Sequence, residues 1–580
     1  MICFEAHIDA VAEGYFREKC TLLSDFRLIN EDIKSVCGIN NFFLNQDVAN
    51  DFISEFQHSQ DVMLDSDRRA YGDFQTNSNL TDAIVDYIGK ERADFEFVLE
   101  PTCGKGNFII SVLKRFSTIK KLVGVEIYQP YVWETKFKIL GLFLSQKVDN
   151  IPEIDIIHAD AFEFSYESIA EETINYKTLI IGNPPWVTNS ELGAIESKNL
   201  PQKGNFKKLA GLDAITGKGN FDIGESISTT LIKAFQKHKG RFAFLVKNSV
   251  IKNIMYDQKQ NHFAIAENEK LNIDAKKEFN ASVNASLFFA ELGEKSSCIC
   301  TEYDFYTQEK TTDFGWCNSK FVYSIEDYEH ASVIDGKSPF IWRSGIKHDC
   351  SQIMEIERVE DYYKNGLKDE IQLEDNLVYG FLKSSDLKGE KTNTYRKLTI
   401  VTQKMVGQDT RYIKHDYPLT FEYLEQNKDY FSKRKSSIYK DKPPYSIFGV
   451  GAYSFAPFKV AISGLYKSTH FTLVLPNEDK PLMLDDTCYF ISFDNRIEAE
   501  IAHYLLNAAL VQNLLRAITF SDSKRAVNKE VLMRIDLRRV HQLTKFEDAQ
   551  QAIRRLTLDE WLEFAAKLEG RREVKQMALF

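Results

Sequence analysis

The stretch FEFVLEPTCGKGNFIISVLKRF, residues 95–116, reads as a short apolar strand, a turn with glycines at 104 and 106, and an apolar helix. Glycines at such a turn let the backbone take left-handed conformations and approach a neighbour closely, and ligands of open α/β sheets settle at the carboxyl ends of strands. A dinucleotide fingerprint needs a third glycine three positions after Gly106. Ile109 stands there, so the turn suits close approach rather than pyrophosphate capture.

Outward from this unit, residues from about 70 to 310 alternate helical stretches with short apolar runs: KLVGVEI, IDIIHAD, TLIIGN, RFAFLVKN and ASLFFAEL. The alternation predicts an α/β fold with a mostly parallel sheet and helices on both faces. NLTDAIVDYIGK, residues 79–90, places Leu80, Ile84, Val85 and Ile88 on one helix face that can cover the sheet. The expected organisation is a helical extension over 1–65, an α/β domain over 66–335, a separate β-containing domain over 336–540 and a helical tail over 541–580. The polar, glycine-dotted segment 187–224 reads as a long loop beside the strand ends.

At 580 residues the chain is too long for one core, and its 43% hydrophobic and 27% charged residues are globular values. No apolar run approaches the roughly 20 residues of a membrane helix, and no secretory signal opens the chain, so a cytoplasmic location without membrane association is expected. The nine cysteines lack paired CxxC spacing, and neither disulfides nor a metal site is expected. The net charge of −11 excludes a uniformly basic nucleic-acid binder. Residues 391–470 nevertheless hold 14 Lys plus Arg against 6 Asp plus Glu, a local excess suited to a phosphate-bearing surface.

Three further strand ends carry chemistry. Glu126, in VGVEI, can accept from two ribose hydroxyls or be a plain surface carboxylate. Asp160, in HADAF, can accept from an adenine amino group, with Phe162 covering the ring. TLIIGN delivers Asn183-Pro184-Pro185-Trp186. Two prolines stiffen that exit and remove backbone donors. An exocyclic aromatic amine is a poor nucleophile because its lone pair is delocalised; two acceptors against its hydrogens draw it towards a tetrahedral, reactive state. The Asn183 side-chain oxygen and the Pro184 carbonyl can be those acceptors, and Trp186 offers a stacking face. The bland alternative is a proline-rich strand exit with a packing tryptophan.

With these motifs in this order, the sequence resembles the gamma-class N6-adenine DNA methyltransferases of type II restriction-modification systems. The resemblance covers nearly the whole chain beyond residue 65. It implies a Rossmann-like class I methyltransferase domain over 66–335 that uses S-adenosyl-L-methionine, followed over 336–540 by a mixed α/β target recognition domain. By the same resemblance, Phe74 and Thr76 in FQT contact the methionine part of the cofactor. Glu100, Pro101, Gly104 and Gly106 form the first cofactor motif, Glu126 the second, and Asp160 with Phe162 the third. Asn183, Pro184, Pro185 and Trp186 form the catalytic motif, in which Trp replaces the commoner Tyr. Phe221 and Asp222 line the cofactor pocket, and Phe279 stacks on the other face of a flipped base, although a phenylalanine before a strand is also commonly core. WRSGIKHDCS (342–351) and KRKSSIYKDKPPYSIFGVG (433–451) resemble recognition domains; Lys433, Arg434 and Lys435 are candidate phosphate contacts, the plain alternative being a solvated surface cluster. The implied partner is double-stranded DNA, with a cognate restriction endonuclease acting separately and the enzyme itself a monomer. Rival readings are a cytosine-N4 DNA methyltransferase, an enzyme acting on RNA or a protein amide, and a DNA-binding subunit of a defence complex.

Overall fold

The computed structural model describes residues 8–19, 24–56, 75–90, 94–145, 150–186, 222–281, 283–293, 295–465, 469–520 and 526–570. Phe74, Phe221 and most of the expected loop 187–224 lie outside these residues. Backbone contacts divide the chain into two compact units, 1–321 and 322–580.

Among the described residues the first unit is built on ten strands: β1 (Phe97–Glu100), β2 (Lys121–Glu126), β3 (Glu153–His158), β4 (Thr178–Gly182), β5 (Gly240–Lys247), β6 (Ile265–Ile273), β7 (Ala285–Leu292), β8 (Ile299–Asp304), β9 (Lys310–Cys317) and β10 (Lys320–Val322). They run in the order β10-β9-β8-β6-β7-β5-β4-β1-β2-β3. Neighbours among β1 to β5 are parallel, and β7 inserts antiparallel between β5 and β6. Every residue of β1 and β4 is buried, as central parallel strands covered on both faces require. The chain goes from β1 outward to β3 on one side and returns through β4 and β5 on the other. The order therefore reverses between β1 and β4, which is where an open α/β sheet leaves a crevice at the strands' carboxyl ends. Glu100 and Asn183 stand at that crevice.

Helices α1 (Ala10–Glu18), α2 (Phe26–Cys37), α3 (Gln46–Phe56), α4 (Ser78–Ile88), α5 (Asn107–Arg115), α6 (Gln129–Ser145), α7 (Glu167–Glu172), α8 (Ile223–Ala234), α9 (Asn248–Asn261) and α10 (Ala275–Phe279) belong to this unit. Asn77 caps α4 by accepting from the Leu80 N–H, and Leu80, Ile84, Val85 and Ile88 are buried, as their spacing predicts. The first three helices enclose α6 in an aromatic cluster of Phe16, Phe42, Phe43, Phe52, Trp133 and Phe137; the Phe16 and Phe52 rings lie 4.9 Å apart. Inside it the Lys136 ammonium donates to the carbonyls of Asn41 and Phe42, at 3.2 and 2.9 Å, which offsets its desolvation. The N-terminal helices thus support α6, which in turn braces the glycine turn after β1.

The second unit holds two mixed sheets. The six-stranded one centres on Glu355–Val359, Lys397–Ile400 and Val378–Leu382; the five-stranded one on Cys488–Phe493, Phe458–Ser463 and Thr472–Val474. The closing run of helices begins at Arg496–Leu506, well before residue 541, and the unit starts at 322 rather than 336. The reason is local: Tyr323 and Ser324 N–H both donate to Ala517 O, and Asp335 forms an ion pair with Arg534 at 2.6 Å. Among the described residues no helix is long and apolar enough to cross a membrane.

Candidate active site

The turn after β1 is held in left-handed backbone at both glycines, with φ of +52° at Gly104 and +73° at Gly106. A Cβ at Gly106 would lie 2.6 Å from Thr135 Cγ2, so glycine is required on steric grounds as well. Thr135 Oγ1 donates to the Gly104 carbonyl at 3.0 Å. From the same helix, Glu134 pairs with Lys105 at 3.2 Å and Lys138 at 3.0 Å. Gln75, which the sequence motifs did not single out, accepts from the Lys105 N–H at 3.2 Å. Its position beside Thr76 is the one signal in the sequence that points to it.

Carboxylates stand at three adjacent strand ends. Glu126 accepts from the backbone N–H of Gly104 at 2.7 Å and of Tyr128 at 2.8 Å, which ties the second strand to the turn. Glu100 is 2% exposed, and its Oε2 has no hydrogen-bond partner among the described residues. Burial raises its pKa well above the ordinary carboxylate value, and the charge of Glu126 raises it further. A buried acceptor left without a donor costs about 1–3 kcal/mol, so this oxygen marks a place for a donating or cationic ligand group. Asp160 Oδ1 accepts from the Phe162 N–H at 2.8 Å, fixing the loop after β3, with Phe162 half-buried beside it.

At the end of β4, Asn183 Nδ2 donates to Thr76 Oγ1 at 3.1 Å, while Thr76 O accepts from Asn107 Nδ2 at 2.7 Å. Thr76 is thereby a bridge between the Asn183–Trp186 tetrapeptide and the first residue of α5. Its hydrogen bond fixes the Asn183 amide by the nitrogen, leaving the oxygen as the acceptor side. Trp186 is 5% exposed and donates through Nε1 to Leu245 O at 3.2 Å. Its ring meets that of Phe279 edge-on, with centroids 4.9 Å apart at 67°. The two aromatics are together, but touching rather than parted.

Asp222 is the N-cap of α8: it accepts from the Gly224 N–H at 3.0 Å and pairs with Lys247 at 2.7 Å. Burial raises its pKa and Lys247 opposes that rise. Two protein partners thus hold this carboxylate, and Lys247, at the end of β5, is a site-edge residue that no sequence motif marked. In the second unit, Lys433 and Lys435 are exposed. Arg434 is not a free surface cation: it donates to His348 O and Ser446 O and lies 3.7 Å over the Tyr439 ring. Its guanidinium fastens the segment from within, a structural role that the sequence reading of it as a phosphate contact did not include.

A parallel β3-β2-β1-β4-β5 core followed by antiparallel β7 and then β6, with a glycine turn after β1 and acidic residues closing β1 and β2, defines a class I S-adenosylmethionine-dependent methyltransferase. No protein-family model matches the chain. The type II methyltransferase M.NspV of Nostoc sp. is 38% identical over 472 residues, which are 80% of this chain and 96% of that protein. The chain belongs to the type II methyltransferases. Among solved structures, the type IIL restriction-modification enzyme MmeI in complex with DNA aligns with 85% of this chain and 71% of its own, at 13% identity and a TM-score of 0.49. A putative class I S-adenosylmethionine-dependent methyltransferase from Listeria monocytogenes aligns with 47% of this chain and 73% of its own, at 11% identity and a TM-score of 0.26.

The methyl donor is S-adenosylmethionine. It carries an ammonium, a sulfonium, two ribose hydroxyls and an adenine amine, all cationic or donating groups. A row of carboxylates with an unpartnered buried oxygen on Glu100 suits that set.

Proposed function

We propose that this methyltransferase modifies the N6 amino group of adenine at a specific site in double-stranded DNA, as the modification component of a restriction-modification system. The observation that carries the reading is Asn183-Pro184-Pro185-Trp186 at the sheet's reversal point, with the Asn183 amide anchored on Thr76. Membership alongside M.NspV and the basic stretch 391–470 support a DNA substrate.

When bound, the cofactor supplies an electrophilic methyl group. The protein's own task is to present an amine to it. A paired adenine cannot reach the crevice, so the nucleotide turns out of the duplex at a cost of a few kcal/mol. Asn183 Oδ1 and the Pro184 carbonyl accept the two amino hydrogens, which concentrates the lone pair on nitrogen. Trp186 gives the base a stacking face worth about 1–3 kcal/mol, and Phe279 closes the opposite face. Positioning supplies most of the rate.

The test is methyl transfer from labelled cofactor to unmethylated genomic DNA, followed by nucleoside analysis and mapping of modified positions. N6-methyladenine at one recurring sequence is expected, and Asn183→Ala should abolish it while leaving cofactor binding intact. Label in cytosine, RNA or protein would refute the substrate, and an active Asn183→Ala would refute the mechanism.

A further inference from the structure

The second unit contains a turn that its own folding does not require to be apolar. Residues 404–407, Lys-Met-Val-Gly, are all exposed, with Met405 at 63% and Val406 at 47%. Their backbone is tightly held. The Gln408 N–H donates to Met405 O at 3.1 Å, closing a four-residue turn whose third position, Gly407, has a φ of +83°. That is the left-handed position a type II turn needs. Beneath the turn, Gln408 accepts from the Lys404 N–H at 2.6 Å through its side chain and from the Gln403 amide through its carbonyl.

The base of this turn is fixed to a basic segment. Thr402 Oγ1 donates to Tyr445 O at 2.7 Å, Thr410 Oγ1 to Pro444 O at 2.6 Å, and the Ile447 N–H to Gln403 Oε1 at 2.9 Å. Just ahead of that strip run Lys433, Lys435, Lys440 and Lys442, all exposed. None of these four, nor Lys404, has an ion-pair partner among the described residues. Across 391–442 there are 12 Lys plus Arg and 6 Asp plus Glu, in a chain whose net charge is −11. Exposed lysines on the segment joined to a rigid apolar tip complement one kind of partner: a polyanion with apolar groups recessed between its charges.

We propose that the Lys404–Gln408 turn enters the major groove of DNA, where Met405 and Val406 touch thymine C5-methyl groups while Lys404 and the neighbouring lysines meet phosphates. The proposal rests on the DNA substrate proposed above and adds the residues that read it. A thymine methyl is the one apolar group the major groove displays, and apolar side chains are its natural complement. A preformed turn meets it without an ordering cost.

The experiment uses the whole enzyme and two preparations of the same several-kilobase amplified DNA, one made with thymine and one with uracil, which lacks only the C5-methyl. The wild type should show a higher kcat/KM on thymine DNA, by about fourfold for each methyl group that the turn covers. Met405→Ala/Val406→Ala, with unchanged Tm, should bring the ratio close to one. Lys404→Ala should lower kcat/KM on both DNAs and leave the ratio intact. A wild-type ratio of one, or a ratio unaltered in the double variant, overturns the proposal while leaving the DNA substrate in place. No transfer by the wild type to either DNA overturns the substrate as well.

Discussion

Replacing Thr76 by Val keeps the side chain's shape and removes the acceptor that holds the Asn183 amide. In the structure that hydrogen bond is 3.1 Å long, and Thr76 itself is 6% exposed. Loss of a hydrogen bond by a buried donor costs about 1–3 kcal/mol; Asn183 is only part-buried, so roughly 1–2 kcal/mol applies. Asn183 then has to be oriented anew in each turnover, and kcat should fall about five- to thirtyfold. The Thr76 carbonyl's bond with Asn107 is untouched, so the turn after β1 and cofactor affinity should hold. Steady-state transfer to unmethylated plasmid and calorimetric titration of the cofactor separate the two effects. Thr76→Ser, which retains the acceptor, should recover most of the rate. A Thr76→Val enzyme with wild-type kcat, or one whose defect lies wholly in cofactor affinity, would refute the anchoring role and favour a direct role in holding the cofactor.

Glu126→Ala should weaken cofactor binding and lower Tm together, because the same carboxylate holds the Gly104 and Tyr128 N–H groups; Glu126→Ala binding the cofactor normally in titration calorimetry would contradict this. Glu100 has a pKa raised in the folded state, so its contribution to stability is present below the unfolded value near 4.5 and is lost as pH rises through the folded value. Glu100→Gln should therefore flatten the cofactor-free melting curve's fall with pH above 4.5 and also bind cofactor less tightly, both read by thermal melts across pH with and without ligand. Arg434→Ala should lower the second unit's stability by about 1–3 kcal/mol by removing its bonds to two carbonyls, whereas Lys433→Ala/Lys435→Ala should leave Tm unchanged and reduce the salt dependence of DNA binding. Equal effects of the two changes on Tm would count against the inward placement of Arg434.

The central strands were legible in the sequence because full burial makes them continuous apolar runs bounded by turns, as in TLIIGN and RFAFLVKN. β6 was not, since IAENEKLNI carries charges at positions that face inward. Lys270 pairs with Glu302 at 3.0 Å, Asn272 donates to Glu302 at 2.7 Å, and Asn268 to Ile299 O at 3.0 Å. Such a polar network between neighbouring strands erases the alternation on which sequence reading depends. Arg434 misled for a similar reason: Lys-Arg-Lys looks like solvated surface, and only the fold supplies the carbonyls of His348 and Ser446. The coupling of Thr76 to Asn183 was not legible either, because the two lie 107 residues apart in the chain.

The packing of Trp186 against Phe279 bears on how the proposed base flipping proceeds. A base between two rings needs their planes roughly 7 Å apart, twice a carbon–carbon separation of about 3.5 Å. The centroids are 4.9 Å apart and the rings are tilted by 67°, so one of them moves on base entry. Trp186 is the fixed member: it is 5% exposed, follows two prolines and is bonded to β5. Phe279 is half-buried at the end of the five-residue α10, ahead of Asn280 at a φ of +52°. Parting the pair forfeits about 0.5–1.5 kcal/mol of ring–ring attraction. Stacking the base returns about 1–3 kcal/mol. The exchange is close to balanced, so the aromatic pair alone does not drive a base out of a duplex at a cost of a few kcal/mol. The remainder must come from the hydrogen bonds of Asn183 and Pro184 to the amino group and from interactions along the DNA. Under the proposed mechanism, selectivity for the amino group and for the surrounding sequence would therefore be exerted at the flipping step itself, since a base that cannot satisfy Asn183 would leave Phe279 against Trp186, where it rests.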